Sequence, residues 1–171
     1  MIQNNLNKNL PGYYQNYLNC GETNNLHAEL ESSKIITENI FNAIPEELEN
    51  FSYAPNKWTI KEVLRHIIDC ERIFSYRAFR FSRFDDTELS GFDENHYIEK
   101  VRSNNFQLSK LLEEFLAVRN STICMFKSMN EEMLNFEGKA NDVVFSAGII
   151  GFITVGHNLH HCSIIKNRYL F

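Results

Sequence analysis

The chain has 171 residues, of which 43% are hydrophobic and 23% charged, and its formal net charge is -5. This length and composition suit one globular domain with its own core, and they exclude a disordered chain or a fibrous repeat. The acidic balance argues against a nucleic-acid partner, because nucleic-acid-binding proteins usually carry a basic stripe.

The first predicted helix covers residues 26–43, where apolar residues keep helical spacing until Pro45 ends the pattern. The second covers residues 59–83. It begins with Thr59 followed three residues later by Glu62, the signature of a capping box. One apolar stripe then runs along it, formed by Ile60, Leu64, Ile67, Phe74, Ala78 and Phe81.

A polar loop at residues 85–95 precedes a third predicted helix at residues 97–129. Residues 134–144 indicate a turn or short hairpin, and a fourth helix is expected at residues 146–169. Four amphipathic helices predict an all-α four-helix bundle. Long loops before the second and fourth helices permit crossing connections, so the connection order stays open at this point.

The chain contains no segment typical of export or of membrane insertion. Residues 1–17 are polar and rich in Asn, without the apolar run of a signal peptide. The longest apolar stretch, residues 143–156, is shorter than the ~20 residues that span a bilayer. We therefore expect a cytoplasmic protein without a membrane partner.

The fourth predicted helix carries His157, His160 and His161. His157 and His161 are four residues apart, which places them about 40° apart around a helix and ~6 Å apart along it. They also occupy positions where the periodicity calls for apolar residues. Two buried imidazoles with this spacing can bind one metal ion.

A metal site usually requires a third protein ligand. His66 is the best candidate, because it lies beside the apolar stripe of the second helix. His27 and His96 lie near helix starts or in loops and are weaker candidates. His160 lies at the edge of its stripe, so it either flanks the site or is a surface histidine near a helix C-terminus.

Other polar residues near this stripe each allow two interpretations. Asp69 and Glu71 either orient a histidine ring or form ordinary salt bridges. Arg77 and Arg119 either pair with one of these carboxylates or receive an anionic substrate. Cys70 is a buried small residue or a fourth ligand, and a fourth ligand would close the site to substrate.

Two segments resemble the DinB/YfiT-like superfamily. One is YAPNKWTIKEVLRHIIDCER at residues 53–72, which is similar to the Trp-then-helix segment of the family and its metal-binding histidine. The other is GHNLHH at residues 156–161, which is similar to the C-terminal histidine segment. The resemblance covers roughly residues 26–171, which we take as the domain, and residues 1–25 then form an N-terminal extension.

The resemblance implies a four-helix bundle with a crossed connection order and a metal site formed by His66, His157 and His161. It further implies one divalent metal ion, Zn²⁺ or Ni²⁺, and a homodimer. Members resemble thiol transferases or metal-dependent hydrolases. We therefore expect an enzyme that activates a low-molecular-weight thiol or a water to attack a small-molecule substrate. The alternative is a stress-related metal-binding protein without turnover.

Overall fold

The computed structural model of the chain describes residues 10–102 and 106–170. These residues form helices and one small sheet. In chain order the elements are α1 (Gly12–Leu18), α2 (Leu26–Asn42), a 3-10 turn (Glu46–Leu48), α3 (Ile60–Ser82), α4 (Glu94–Val101), α5 (Leu108–Lys127), α6 (Glu131–Asn135), β1 (Glu137–Ala140), β2 (Val143–Ser146), α7 (Ala147–Ile164) and a π-helical turn (Ile165–Tyr169).

The four long helices α2, α3, α5 and α7 form the predicted bundle, and their connection order is crossed. Helix α3 packs against α5 and α7, and α2 packs against the same two helices. Consecutive helices α2 and α3 therefore lie at opposite corners of the bundle. The long connection at residues 43–59 allows this crossing. No helix among the described residues has the length and apolarity needed to traverse a bilayer.

Side-chain caps mark where three of the four bundle helices begin. Thr59 and Glu62 form the predicted capping box at the start of α3. Asn25 caps α2 by accepting a hydrogen bond from the backbone of Ala28, and Ser146 caps α7 in the same way. These caps satisfy backbone N–H groups that have no partner inside the helix.

The prediction of one continuous helix at residues 97–129 was wrong. The structure has two helices here, Glu94–Val101 and Leu108–Lys127. The part of the prediction at residues 103–105 lies outside the described residues. The sequence between the helices is rich in Ser and Asn, which are poor helix formers. This signal should have outweighed the apolar spacing on either side.

Strands β1 and β2 form an antiparallel hairpin, as predicted for residues 134–144. Its two turn residues, Asn141 and Asp142, have φ of 51° and 61°, the backbone of a type I′ turn. Leu89 pairs with Ala140 of the hairpin. The N–H of Leu89 donates to the carbonyl oxygen of Lys139, and the carbonyl oxygen of Leu89 accepts from the N–H of Asn141. The hairpin therefore holds the loop that follows α3.

Helix α1 lies within the predicted N-terminal extension and packs against α7. The contact is very close, because a Cβ added at Gly156 would lie 1.9 Å from the carbonyl oxygen of Tyr17. Only glycine permits this approach of two backbones. Residue 26 as the start of the domain stays a prediction.

Candidate metal centre

Three histidines from two helices converge inside the bundle. His66 lies on α3, and His157 and His161 lie one turn apart on α7. The Nε2 atom of His66 is 2.9 Å from Nε2 of His157 and 3.1 Å from Nε2 of His161. These three side chains form a group whose ligand atoms all lie within 4.8 Å of one another.

Burial keeps these imidazoles neutral. It lowers the pKa of His66 to about 4, with a further contribution from the charge of His160. Burial also lowers the pKa of His157 and of His161 well below the usual value, and repulsion between the rings adds to this. A neutral imidazole keeps a lone pair, which is the form that binds a metal ion.

The two distances from Nε2 of His66 are close to those around a tetrahedral ion. Metal–nitrogen bonds of about 2.0–2.1 Å at tetrahedral angles place the nitrogens ~3.3 Å apart. One Nε2 atom can donate or accept a single hydrogen bond along its ring axis. His66 therefore cannot satisfy both partners by hydrogen bonding, whereas one cation accepts all three lone pairs.

Aromatic rings surround the cluster. The Trp58 ring centroid is 4.6 Å from that of His66. Tyr17 and Phe74 present their edges to His157, with centroid distances of 5.4 Å and 5.6 Å. These rings limit the motion of the imidazoles and cover part of the cluster.

The cluster opens into a cavity of about 290 Å³. Aromatic, polar and charged side chains line it together with the three histidines. They are Tyr13, Tyr14, Tyr17, Trp58, Cys70, Phe74, Arg77, Phe92, Glu94, Asn141 and His160.

Comparison with known proteins gives the family. The model of the DinB superfamily matches residues 29–165, which is most of the chain. The chain belongs to the DinB superfamily. A search of curated proteins found no match.

A solved structure supports the DinB-type fold. YfiT from Bacillus subtilis, described as a probable metal-dependent hydrolase with an unusual four-helix bundle topology, superposes with a TM-score of 0.72. The match covers 82% of each chain at 17% sequence identity. At this identity the comparison establishes the fold, including the crossed bundle, and nothing finer.

Within this DinB fold, His160 and Cys70 lie beside the histidine cluster. His160 is exposed, and its ring centroid is 5.2 Å from that of His161, so it flanks the site. Cys70 is buried, with its sulfur 3.6 Å from Nδ1 of His66. It contacts His66 but does not join the group formed by the three histidines.

The structure places Asp69 away from the histidines. Its carboxylate lies 3.6 Å from Arg65 and 3.9 Å from Arg72, both on the same helix. These contacts are those of a salt-bridged residue and not of a carboxylate that orients a histidine ring.

Glu71 and Arg119 form a buried ion pair next to the site. Arg119 is completely buried and donates two hydrogen bonds of 2.8 Å to the carboxylate of Glu71. It also donates to Ser33 Oγ and to Asn158 Oδ1, and Asn158 follows His157 in α7. The network thus joins all four bundle helices behind the histidines.

Arg77 is different, because it lines the cavity and has no carboxylate partner among the described residues. Its Nη2 donates a 2.8 Å hydrogen bond to the carbonyl oxygen of Ser90. Its guanidinium also lies over the ring of Phe92, 5.5 Å from the centroid.

Neither Tyr17 nor Trp58 was among the site residues predicted from the sequence. Both contact the histidine rings, and Trp58 also anchors the bundle end, where its carbonyl oxygen accepts a hydrogen bond from Tyr169. The sequence contained one signal that another segment, here α1 with Tyr17, packs closely against α7. Gly156 directly precedes His157 inside a helix, and a helical glycine often marks a close backbone contact.

Proposed function

We propose that this DinB-superfamily protein is an enzyme that uses one divalent metal ion to activate a low-molecular-weight thiol or a water. The activated group would attack, or be transferred to, a small-molecule substrate. One observation carries the proposal: three neutral imidazoles from two helices, two buried and that of His161 partly buried, line one open cavity with their ligand atoms within 4.8 Å of one another.

The donor set favours Zn²⁺ or Ni²⁺. Imidazole suits these ions, whereas Mg²⁺ and Ca²⁺ prefer oxygen ligands. No carboxylate or thiol joins the three-histidine group among the described residues. His66, His157 and His161 would therefore hold the ion and leave part of its coordination sphere free, as in catalytic rather than structural sites.

A bound metal of this kind lowers the pKa of a coordinated water or thiol toward neutrality. The protein contributes position and shielding. Trp58, Tyr17 and Phe74 pack against the imidazole rings. The buried pair of Glu71 and Arg119 joins α3 to α5, and the bond from Arg119 to Asn158 joins α5 to α7. The cavity admits a small molecule to the open side.

A non-catalytic metal-binding protein is the second candidate. One observation favours it: no carboxylate of the described residues forms a hydrogen bond with any of the three histidines or lies in their group. Such a carboxylate is the common second-shell orienter and general base in zinc enzymes. The cavity-lining carboxylate, Glu94, is exposed.

Metal analysis of the purified full-length chain tests the site. We expect about one equivalent of Zn²⁺ or Ni²⁺ in the wild type and a large loss in His157→Ala. His96→Ala removes an exposed histidine outside the cluster and should keep the metal. Circular dichroism establishes that both variants fold. Equal metal content in folded His157→Ala would overturn the proposal.

Turnover decides between the two candidates. The metal-loaded protein is assayed with a panel of thiols and a chlorodinitrobenzene electrophile, and with ester and amide substrates. A rate that disappears on chelation and in His157→Ala supports the enzyme. Full metal occupancy without turnover on any panel favours the binding protein. The expected homodimer and cytoplasmic location stay predictions.

A further inference from the structure

Arg77 is a buried cation without an anionic partner. Only 3% of its surface is exposed, and among the described residues no carboxylate lies within ion-pair distance of its guanidinium. Its polar contact is with a neutral group, the carbonyl oxygen of Ser90, and leaves most of its five N–H donors for other partners. An arginine buried to this extent usually pairs with an anion.

Arg77 faces the same cavity as the histidines. It follows His66 by eleven residues on α3, which at 100° per residue returns to the same face of the helix, about 16 Å further along the axis. Helical side chains lean toward the N-terminus, so the guanidinium lies nearer to His66 than its own backbone does. The cavity thus has the histidines at one end and a guanidinium at the other.

The wall between these two ends is largely aromatic. Tyr14, Phe74 and Phe92 line it, and Phe92 stacks under the guanidinium. The loop that carries Ser90 is held by the backbone pairing of Leu89 with the hairpin. The position of the guanidinium is therefore defined by structure on both sides, which suits a binding residue.

We infer that Arg77 binds the carboxylate of a small organic acid, whose apolar middle lies along the aromatic wall and whose reactive end lies at the three histidines. The inference rests on the proposed function, since it takes this cavity as the substrate site. The cavity offers the single positive charge of Arg77, and the carboxylate of Glu94 also lines it. This balance suits a ligand with one negative charge better than a ligand with two. A carboxylate is therefore favoured over a phosphate dianion.

Trp58 provides a direct reporter of binding. It is the only tryptophan of the chain, it lines the cavity, and it stacks on His66. Its fluorescence is followed while the full-length protein is titrated with 4-phenylbutyrate, or with the neutral analogue 4-phenylbutanol. The two probes share the aromatic ring and chain and differ at the end group.

We expect the wild type to bind the acid at least tenfold more tightly than the alcohol. Arg77→Met should reduce this preference to less than threefold and leave alcohol binding unchanged, which also shows that the cavity is intact. Arg83→Met is the matched control, because Arg83 is an exposed arginine that follows the same helix and does not line the cavity. It should keep the tenfold preference.

A purely structural role for Arg77 makes a different prediction, in which Arg77→Met lowers binding of both probes equally. This result, or equal binding of acid and alcohol by the wild type, would overturn the inference. If Arg77→Met does not fold, the wild-type comparison and Arg77→Gln carry the test.

The titrations are run on both chelator-treated and metal-loaded protein. The acid preference should persist after chelation, since it depends on Arg77. A preference that survives in Arg77→Met and vanishes on chelation would place the carboxylate on the ion and overturn the inference. Absence of any metal in the purified protein would instead remove the proposed function, while the chelated titration still tests Arg77.

Discussion

The two most deeply buried arginines among the described residues, Arg119 and Arg77, have opposite surroundings. Arg119 is fully buried and is held by two hydrogen bonds to Glu71, with further bonds to Ser33 and Asn158. Arg77 is almost as buried, but its polar and ring contacts within residues 10–102 and 106–170 are a carbonyl oxygen and an aromatic face.

The difference in hydrogen-bond partners indicates a structural role for Arg119 and a binding role for Arg77. A charge whose hydrogen bonds are satisfied within the protein fixes the helices relative to one another and has nothing left to bind. A charge with open donors beside a cavity retains binding capacity for a ligand. Burial alone would have grouped the two arginines together, whereas their partners assign them different roles.

The largest expected effect is on the scaffold. Arg119→Met leaves Glu71 as an unpaired buried carboxylate, so we expect a loss of about 3–5 kcal/mol in the free energy of unfolding. Urea denaturation measures this. Arg72→Met, which removes a half-exposed arginine from a surface ion pair, should cost about 1 kcal/mol or less. A small effect of Arg119→Met would contradict the scaffold role, and Glu71→Gln in the same chain should restore part of the loss.

The next effect is on pH dependence of the metal-free protein. The pKa of His66 is about 4 in the folded chain and about 6.5 when unfolded. The unfolded state therefore binds more protons between these values, and stability falls as pH drops from 6.5 to 4. The loss is on the order of 3 kcal/mol for His66. Urea denaturation across this range tests it, and a His66→Gln variant should show a shallower slope. Equal slopes would show that burial of His66 does not govern this range.

A smaller effect is expected where α1 meets α7. Gly156→Ala places a methyl group against the backbone of Tyr17, which must move. We expect a loss of about 1–3 kcal/mol, together with weaker shielding of His157. Gly12→Ala is the control, because a Cβ there meets nothing within 4 Å. Thermal unfolding compares them, and unchanged stability of Gly156→Ala would show that α1 does not need this contact.

The smallest effect concerns Asp69. Because its carboxylate lies on Arg65 and Arg72, Asp69→Asn should change metal affinity by less than about twofold. Competition with a chromogenic chelator measures the affinity. A tenfold or larger loss of metal affinity is expected for a carboxylate that orients a histidine ligand. Such a loss would show that Asp69 supports the metal site.

Local features of the sequence determined much of the fold. The capping box at Thr59, the apolar spacing within each helix and the turn before α7 act between residues a few positions apart, so they were predictable. The spacing of His157 and His161 is equally local. The break between α4 and α5 was missed, because apolar spacing on both sides outweighed a short polar segment.

Tertiary structure alone decided the rest. Whether His66 meets the pair on α7 depends on how two helices pack, although resemblance to the DinB/YfiT-like superfamily indicated it. The contact of Tyr17 with His157, and the choice of Glu71 by Arg119 rather than by Arg77, could not be derived from periodicity. Such pairings join residues far apart in the chain, and their energies depend on distances and burial that appear only when the bundle is assembled.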